Sequence, residues 1–380
     1  MTNVEVMRVE GRAEMCRQGY RIICCLLAVL LAPNSFQAMA VALLPGQADG
    51  HSPTGEFIAG VPVIDALDAV ALPAGKHKFY FRAGIPKGNQ PFDIPILVVR
   101  GAHPGKQLMI TAALHGDELN GIAVIHKLFA EVDPEKLSGT LIAVPGVNQT
   151  GLTDKRREFR SGRRMPLTDL NRIFPGQQDG RDSAKRFVGA LWHRVLKNNA
   201  DLAVDIHTQT TGLSYPLFVF ADFRSKDAKA MAFTLMPDLI KIDRGQKGSL
   251  ETTYMMTRIP AVTFEVGAPG KFEAALVSRA VAGLRNLMRQ QKMLEGPVLP
   301  PSDKLYVGKK HFNVLAKEAG IAHIRVKLLD TVAKGQLIAT TSDAFGRETG
   351  RYYAPHSGRI LSLATSPLCE KGSTLVRILH

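Results

Sequence analysis

Residues 108–118 read LMITAALHGDE, and the segment Asn120 to Val132 follows almost at once. The run from Leu108 to Leu114 is apolar without interruption, the pattern of a strand buried on both faces. Asn120 to Val132 then sets Ile122, Ile125, Leu128 and Phe129 on one helical stripe. A buried strand handing over to an amphipathic helix is the building unit of an α/β sheet. The alternation continues on both sides. Ile94 to Arg100 (IPILVVR), Leu141 to Val144, Leu202 to Ile206, Leu217 to Phe220 and Ala261 to Val266 read as further short strands. Ser183 to Lys197 and Phe272 to Leu294 read as further helices. The predicted fold class is therefore α/β, with a mostly parallel or mixed sheet covered by helices on both faces.

The period changes beyond the breaker cluster GPVLPPSD, residues 296–303, which reads as a linker. Ile321 to Leu329, Gln336 to Thr340, Gly358 to Leu363 and Thr374 to Leu379 are short strands separated by Gly and Asp turns. Residues 304–380 are predicted to form a small C-terminal all-β barrel or sandwich. The wordings TVAKGQLIAT and APHSGRIL resemble biotinyl/lipoyl-type half-barrels, but the lysine carrier motif of those domains is absent, which argues against a prosthetic group.

The amino-terminal forty residues read as a processing segment. Arg8, Arg12, Arg17 and Arg21 precede the apolar core Ile22 to Leu31, and Ala38-Met39-Ala40 fits a small-x-small cleavage site. The core is short of the about 20 residues that a lone spanning helix needs. Residues 1–40 are predicted to be a secretory signal peptide, with an uncleaved anchor as the alternative. Cys16, Cys24 and Cys25 fall inside it, so the mature chain keeps Cys369 alone and can form no internal disulfide. The expectation is an exported protein, periplasmic in a Gram-negative cell, with no stable membrane anchor after cleavage. An extended leader at 41–54 and a catalytic domain at 55–295 complete the predicted order.

The chain has 380 residues, 45% hydrophobic, 22% charged and 7% aromatic, which excludes long disorder, collagen-like repeats and a coiled coil. Lys and Arg number 48 against 34 Asp and Glu, a net charge of +14 that points to an anionic partner. No zinc knuckle, RNP-type motif or basic-aromatic interleaving is present, so a small carboxylate-bearing substrate is expected rather than nucleic acid. There is no P-loop, no G-x-G-x-x-G and no G-x-S-x-G, which argues against nucleotide-dependent chemistry and a serine hydrolase.

Four stretches carry chemistry. His115-Gly116-Asp117-Glu118 stands where a strand ends and a helix begins, and an H-x-x-E pair there can aim both side chains at one point. Imidazole plus carboxylate is two-thirds of a catalytic zinc site, which takes three protein ligands and keeps one position open. The plainer reading is a solvent-facing His and a Glu that favours the helix dipole. Asp205-Ile206-His207-Thr208 ends a second strand, where open α/β sheets build their ligand crevice. It reads either as a satisfied polar pair or as a ligand with a hydrogen-bonding partner behind it. Thr263-Phe264-Glu265-Val266-Gly267 puts a carboxylate inside an apolar strand, either paired with a cation or serving as a general base. The basic run from Lys155 to Arg172 is mostly a solvated face. Asn171-Arg172 differs, because Leu170, Ile173 and Phe174 bracket it, and a guanidinium beside an amide suits a grip on a carboxylate.

In this order, H-G-D-E, D-L-N-R-x-F-P-G, D-I-H-T and F-E-x-G resemble the succinylglutamate desuccinylase/aspartoacylase family, which shares the zinc carboxypeptidase fold. The resemblance implies a mixed sheet of that type and one Zn2+ per chain held by His115, Glu118 and His207. It implies Glu265 as general base, Arg164 beside the scissile carbonyl, and Asn171 and Arg172 as the substrate-carboxylate clamp. It also implies a tyrosine near the substrate, for which Tyr215, Tyr254, Tyr352 and Tyr353 are candidates. The implied activity is deacylation of an N-acyl amino acid. An exported zinc carboxypeptidase acting on peptides and an inactive binder of anionic ligands are the alternatives.

Overall fold

The structure is a computed structural model that describes residues 51–84, 91–162 and 164–380. The signal peptide expected at 1–40 and the leader up to residue 50 lie outside the described residues. The chain opens with β1 (His51–Ile58), β2 (Val61–Leu67), β3 (Gly75–Arg82), β4 (Asp93–Arg100) and β5 (His103–Ala112). There follow α1 (Asn120–Glu131), β6 (Ser138–Val144), α2 (Gln149–Asp154), α3 (Ser183–Leu191), β7 (Leu202–His207), β8 (Leu213–Ser214) and β9 (Leu217–Ala221). Next come α4 (Lys226–Thr234), β10 (Leu239–Ile242), α5 (Leu250–Met256), β11 (Ala261–Val266) and α6 (Ala274–Gln290). The carboxyl-terminal part holds β12 (Tyr306–Gly308), β13 (His311–Leu315), β14 (Gly320–Ile324), β15 (Thr331–Val332) and β16 (Leu337–Ser342). It ends with β17 (Glu348–Tyr353), β18 (Gly358–Ala364), β19 (Leu368–Cys369) and β20 (Thr374–Leu379).

One mixed sheet organises the molecule, in the order β1-β2-β3-β4-β6-β5-β7-β11-β9-β10-β12. β6, β5, β7 and β11 run parallel to one another, and β9 returns antiparallel beside β11. The side-chain period of two divides each central strand between two cores. Leu108, Ile110 and Ala112, Leu202, Val204 and Ile206, and Val262, Phe264 and Val266 all join α1, α4 and α6 on one face. Met109, Ala203 and Ala261 join α3 and α5 on the other. By the same alternation Thr111, Asp205, His207, Thr263 and Glu265 turn to that second face, near the carboxyl ends of the parallel strands. Caps set the helix starts: Asp182 accepts from the amides of Ala184 and Lys185, Ser225 from that of Ala228, and Ser249 from that of Thr252.

Beyond α6 two antiparallel sheets, β13-β20-β18-β15 and β17-β16-β14-β19, share a core that includes Val314, Ile338, Tyr352, Ile360 and Ile378. The α/β class with a small all-β sandwich at the carboxyl end is the fold the sequence predicted. Several details differ. The run read as a strand to Leu114 stops at Ala112, because Ala113 turns with φ 53°. The helix read to Lys197 leaves α-helical hydrogen bonding at Trp192 for one wider turn. β1 begins at His51, inside the stretch read as a leader, and β12, beyond the Pro-rich 296–303, adds to the large sheet by pairing with β10. Among the described residues no helix is long and apolar enough to cross a membrane.

Phe264 is completely buried and sits on β11 between β7 and β9. Phe264→Ala is expected to cost about 3–5 kcal/mol through lost transfer energy and a cavity. Urea denaturation checks this, and a midpoint equal to wild type would contradict the packing described.

Candidate metal centre and active site

His115 arrives on a turn that other segments hold in place. The left-handed Ala113 is unfavourable for a residue with a Cβ. The turn is pinned by the Val147 and Asn148 amides, which donate to the carbonyls of Ala112 and Ala113 at 3.1 and 2.9 Å. The Asn148 carboxamide nitrogen donates to Leu114 O at 3.3 Å and to Arg157 O at 3.1 Å, while its oxygen caps α2 through Gly151 N. Gly116 lies so close to α2 that a Cβ there would stand 2.0 Å from the Gly151 carbonyl carbon. These contacts tie the H-G-D-E turn to the segment that ends in Arg157.

His207 enters from the end of β7, and the three expected metal ligands converge. The Nδ1 atoms of His115 and His207 lie 3.1 Å apart. His115 Nδ1 is 2.8 Å from Glu118 Oε1, and His207 Nδ1 is 2.8 Å from Glu118 Oε2. All three side chains are buried, with candidate ligand atoms within 4.8 Å of one another. Two ligands on a tetrahedral zinc at about 2.0–2.1 Å stand about 3.3 Å apart, close to the observed separation. The distal nitrogens complete the pattern. His207 Nε2 meets Asp205 Oδ2 at 2.7 Å, and His115 Nε2 meets Asp169 Oδ1 at 3.1 Å. A neutral imidazole has one N–H, and with that proton given to the carboxylate behind it each ring turns its Nδ1 lone pair inward. Thr111 Oγ1 donates to the other Asp205 oxygen at 2.6 Å.

The electrostatics call for a cation. Burial alone would raise the Glu118 pKa, yet the two histidines outweigh it and hold the carboxyl below its usual range. Burial would lower His207, but Asp205 and Glu118 push it well above the ordinary imidazole value. Asp169 is likewise held low against burial, by His115 and Arg157. The donor set of two imidazoles and one carboxylate, with a carboxylate behind each ring, fits a divalent metal that takes the place of the proton.

Around this cluster lies a cavity of about 450 Å³. Glu265 lines it from β11, directly across the pairing from His207. Among the described residues its Oε2 is buried with no hydrogen-bond partner, and burial, with His207 opposing and Glu118 adding to it, pushes its pKa up to about 8. Asn171 and Arg172 line the cavity from a short 3₁₀ turn whose start is capped by Asp169, the carboxylate that also holds His115. Asn171 Oδ1 accepts from Leu250 N at 2.8 Å, and its Nδ2 lies against His207.

Arg164 does not take the expected place: it is exposed on a surface turn and is absent from the cavity lining. The guanidinium that faces in is that of Arg157, 3.1 Å from Glu118 and 3.3 Å from Asp169. Of the four candidate tyrosines, Tyr215 alone lines the cavity, and its hydroxyl accepts from Arg377 of β20 at 2.6 Å. Tyr254 is buried with its hydroxyl on Leu196 O, Tyr352 bonds Lys317 N inside the β sandwich, and Tyr353 is exposed. Arg157, Asp169, Glu251 and Arg377 were not singled out from the sequence. Of these, only Asp169 carried a signal, its cap position ahead of Leu170-Asn171-Arg172.

A family model described as the succinylglutamate desuccinylase/aspartoacylase catalytic domain matches residues 104–291. The N-alpha-acetyl-L-2,4-diaminobutyric acid deacetylase of Halomonas elongata is 26% identical over 262 residues, covering 66% of this chain and 74% of that protein. Among solved structures, a succinylglutamate desuccinylase from Silicibacter sp. superposes with a TM-score of 0.71 at 23% identity, covering 81% of this chain and 96% of its own. The product-bound ectoine utilization protein EutE (DoeB) from Ruegeria pomeroyi gives a TM-score of 0.71 at 23% identity, covering 87% and 99%. At these identities the two structures establish likeness of fold.

If Asp205 sets the His207 tautomer, Asp205→Asn weakens metal affinity about 10–100-fold while the protein stays folded. Competition with a chromophoric zinc chelator measures this, and an affinity equal to wild type would remove the assigned role.

Proposed function

The chain belongs to the succinylglutamate desuccinylase/aspartoacylase family, a family of amide-bond deacylases, and from that premise we propose that it is a zinc-dependent hydrolase of N-acyl amino acids with Glu265 as its base. The observation that carries the reading is the convergence of His115, Glu118 and His207 beside the unpartnered Glu265 oxygen. A small substrate is supported by the cavity of about 450 Å³, within the range for small-molecule sites. By its name the Halomonas relative removes an acetyl group from an amino acid, which supports the same class here.

Zinc held by His115, Glu118 and His207 would lower the pKa of a water towards about 7 and polarise a carbonyl. The chain's own residues do the rest. Glu265 has an oxygen free to take a proton from water and to pass it to the departing amine, which leaves poorly unless protonated. Arg172 and the Asn171 amide present donors for a substrate carboxylate and fix its orientation. Arg157 places positive charge beside the cluster, where an oxyanion develops; a well-placed donor there is worth about 3–4 kcal/mol. Burial, with Glu265 adding and Arg377 opposing, raises the Tyr215 pKa, so its phenol keeps a proton to donate. The reading of residues 1–40 supports action after export, in the periplasm of a Gram-negative cell.

Glu265→Gln is expected to lower kcat on N-acetyl amino acids by about 10²–10⁴-fold with zinc content intact. Removing the metal with a chelator should abolish turnover and added zinc should restore it. Full activity in demonstrably metal-free protein would end the proposal. Amino-terminal sequencing of the protein recovered from the periplasm should begin at Val41, and a start at Met1 would refute cleavage.

A further inference from the structure

Arg377 lines the same cavity and has no task in the chemistry just described. It stands on β20, which lies between β13 and β18 in the sandwich. Strand alternation sets its direction. Val376 and Ile378 turn into the sandwich core, whereas Leu379 packs with Tyr215, Phe218 and Leu239, and Arg377 shares the face of Leu379. Where β13 pairs with β20, the residue opposite Arg377 is Asn313. The Asn313 side-chain oxygen accepts from Arg377 Nε at 2.7 Å, and Arg377 Nη1 donates to the Tyr215 hydroxyl oxygen at 2.6 Å. The guanidinium carbon lies 6.0 Å from the centre of the Tyr215 ring. No carboxylate pairs with Arg377 among the described residues, so its charge is not taken up by a salt bridge.

The direction of these bonds decides what Tyr215 can do. A phenol has one O–H to give and an oxygen that accepts. Arg377 occupies the accepting side, and among the described residues no group accepts the Tyr215 proton. Tyr215 is 3% exposed and lines the cavity. A buried hydroxyl with an unused donor is uncommon in a folded protein, and an acceptor that arrives with a ligand would satisfy it. A charged donor on the phenol oxygen also polarises it, which makes its O–H the stronger donor.

We propose, resting on the deacylase reading above, that Arg377 is a positioning residue: by occupying the phenol oxygen of Tyr215 it turns that hydroxyl's proton into the cavity, towards the oxygen of the acyl group under attack. Asn313 steadies the guanidinium, so a donor carried by the large sheet is aimed from the sandwich. A double-mutant cycle in the zinc-loaded full chain, on an N-acetyl amino acid that the wild type cleaves, tests this. Tyr215→Phe and Arg377→Met should each lower kcat about 10- to 100-fold, with KM changed by less than about threefold. The double variant should be no slower than Tyr215→Phe alone, because the guanidinium acts only through the hydroxyl. Arg377→Lys, which keeps a donor, should recover part of the loss. Asn313 is exposed, so Asn313→Ala keeps the test open should Arg377→Met not fold. It should lower kcat by a smaller factor, and only where Tyr215 is present. A readout independent of turnover is the ring-carbon resonance of Tyr215 in tyrosine-labelled protein, identified by its loss in Tyr215→Phe, which should move in Arg377→Met. Losses that multiply in the double variant overturn the inference and leave the deacylase reading standing. So does a raised KM with kcat unchanged, as a direct grip of Arg377 on a substrate carboxylate would give, and so does an unmoved Tyr215 resonance. Failure of the zinc-loaded wild type to cleave any N-acyl amino acid overturns both.

Discussion

The constraint on which the rest of the molecule depends is the buried Glu118 carboxylate, wedged between two imidazole nitrogens that lie 3.1 Å apart. Two inward lone pairs and a carboxylate, largely withdrawn from bulk water, repel one another unless positive charge stands among them. The immediate surroundings make the deficit larger. Glu118, Asp205 and Asp169 bring three negative charges, and Arg157 returns one positive charge. The carboxylates behind the rings fix which imidazole nitrogen carries its proton, and their negative charge favours a cation among the three inward side chains.

Much of this was visible in the sequence because the strands advertise it. A polar residue inside an otherwise apolar run, as in LAVDIH and AVTFEV, breaks a pattern that burial imposes, and strand alternation then decides its face. Asp205, His207, Thr263 and Glu265 share a face for that reason. The helices α1 and α6 were legible from their stripes, whereas β1 to β3 and β17 were not. β3, GKHKFYFR, buries only Phe79 and Phe81, and β17, ETGRYY, buries only Tyr352, so neither shows a continuous apolar signal. Helix α4, KDAKAMAFT, is short and packs through alanines and a methionine, a weak stripe by sequence.

What the sequence could not supply was selection among equivalent residues. The run from Lys155 to Arg172 offers many cations, and motif position alone singled out Arg164. The chain instead turns Arg157 inward, because Gly116 N and the Asn148 side chain both hold the Arg157 carbonyl beside the H-G-D-E turn. That arrangement depends on contacts between separate segments and leaves no local imprint. Tyr215 was one of four tyrosines for the same reason. Its selection comes from Arg377, 162 residues away, whose guanidinium donates to its hydroxyl.

That last contact is one of several that join the β sandwich to the large sheet. β8, which ends three residues before Leu217, pairs with β18 of the sandwich, and Gln209, two residues after His207, donates to Ser362 of the same strand at 3.1 Å. Leu361 and Leu379 pack on Tyr215, Phe218 and Leu239, so the sandwich is joined to the large sheet by a shared core as well as by hydrogen bonds. Arg377 is itself steadied by Asn313 at 2.7 Å, which fixes the angle at which it reaches Tyr215. The carboxyl-terminal strands therefore line one side of the cavity and position Arg377 in it. Because Tyr215 is buried by this wall, its phenol stays protonated, and the wall is tied by hydrogen bonding to a residue two positions from His207.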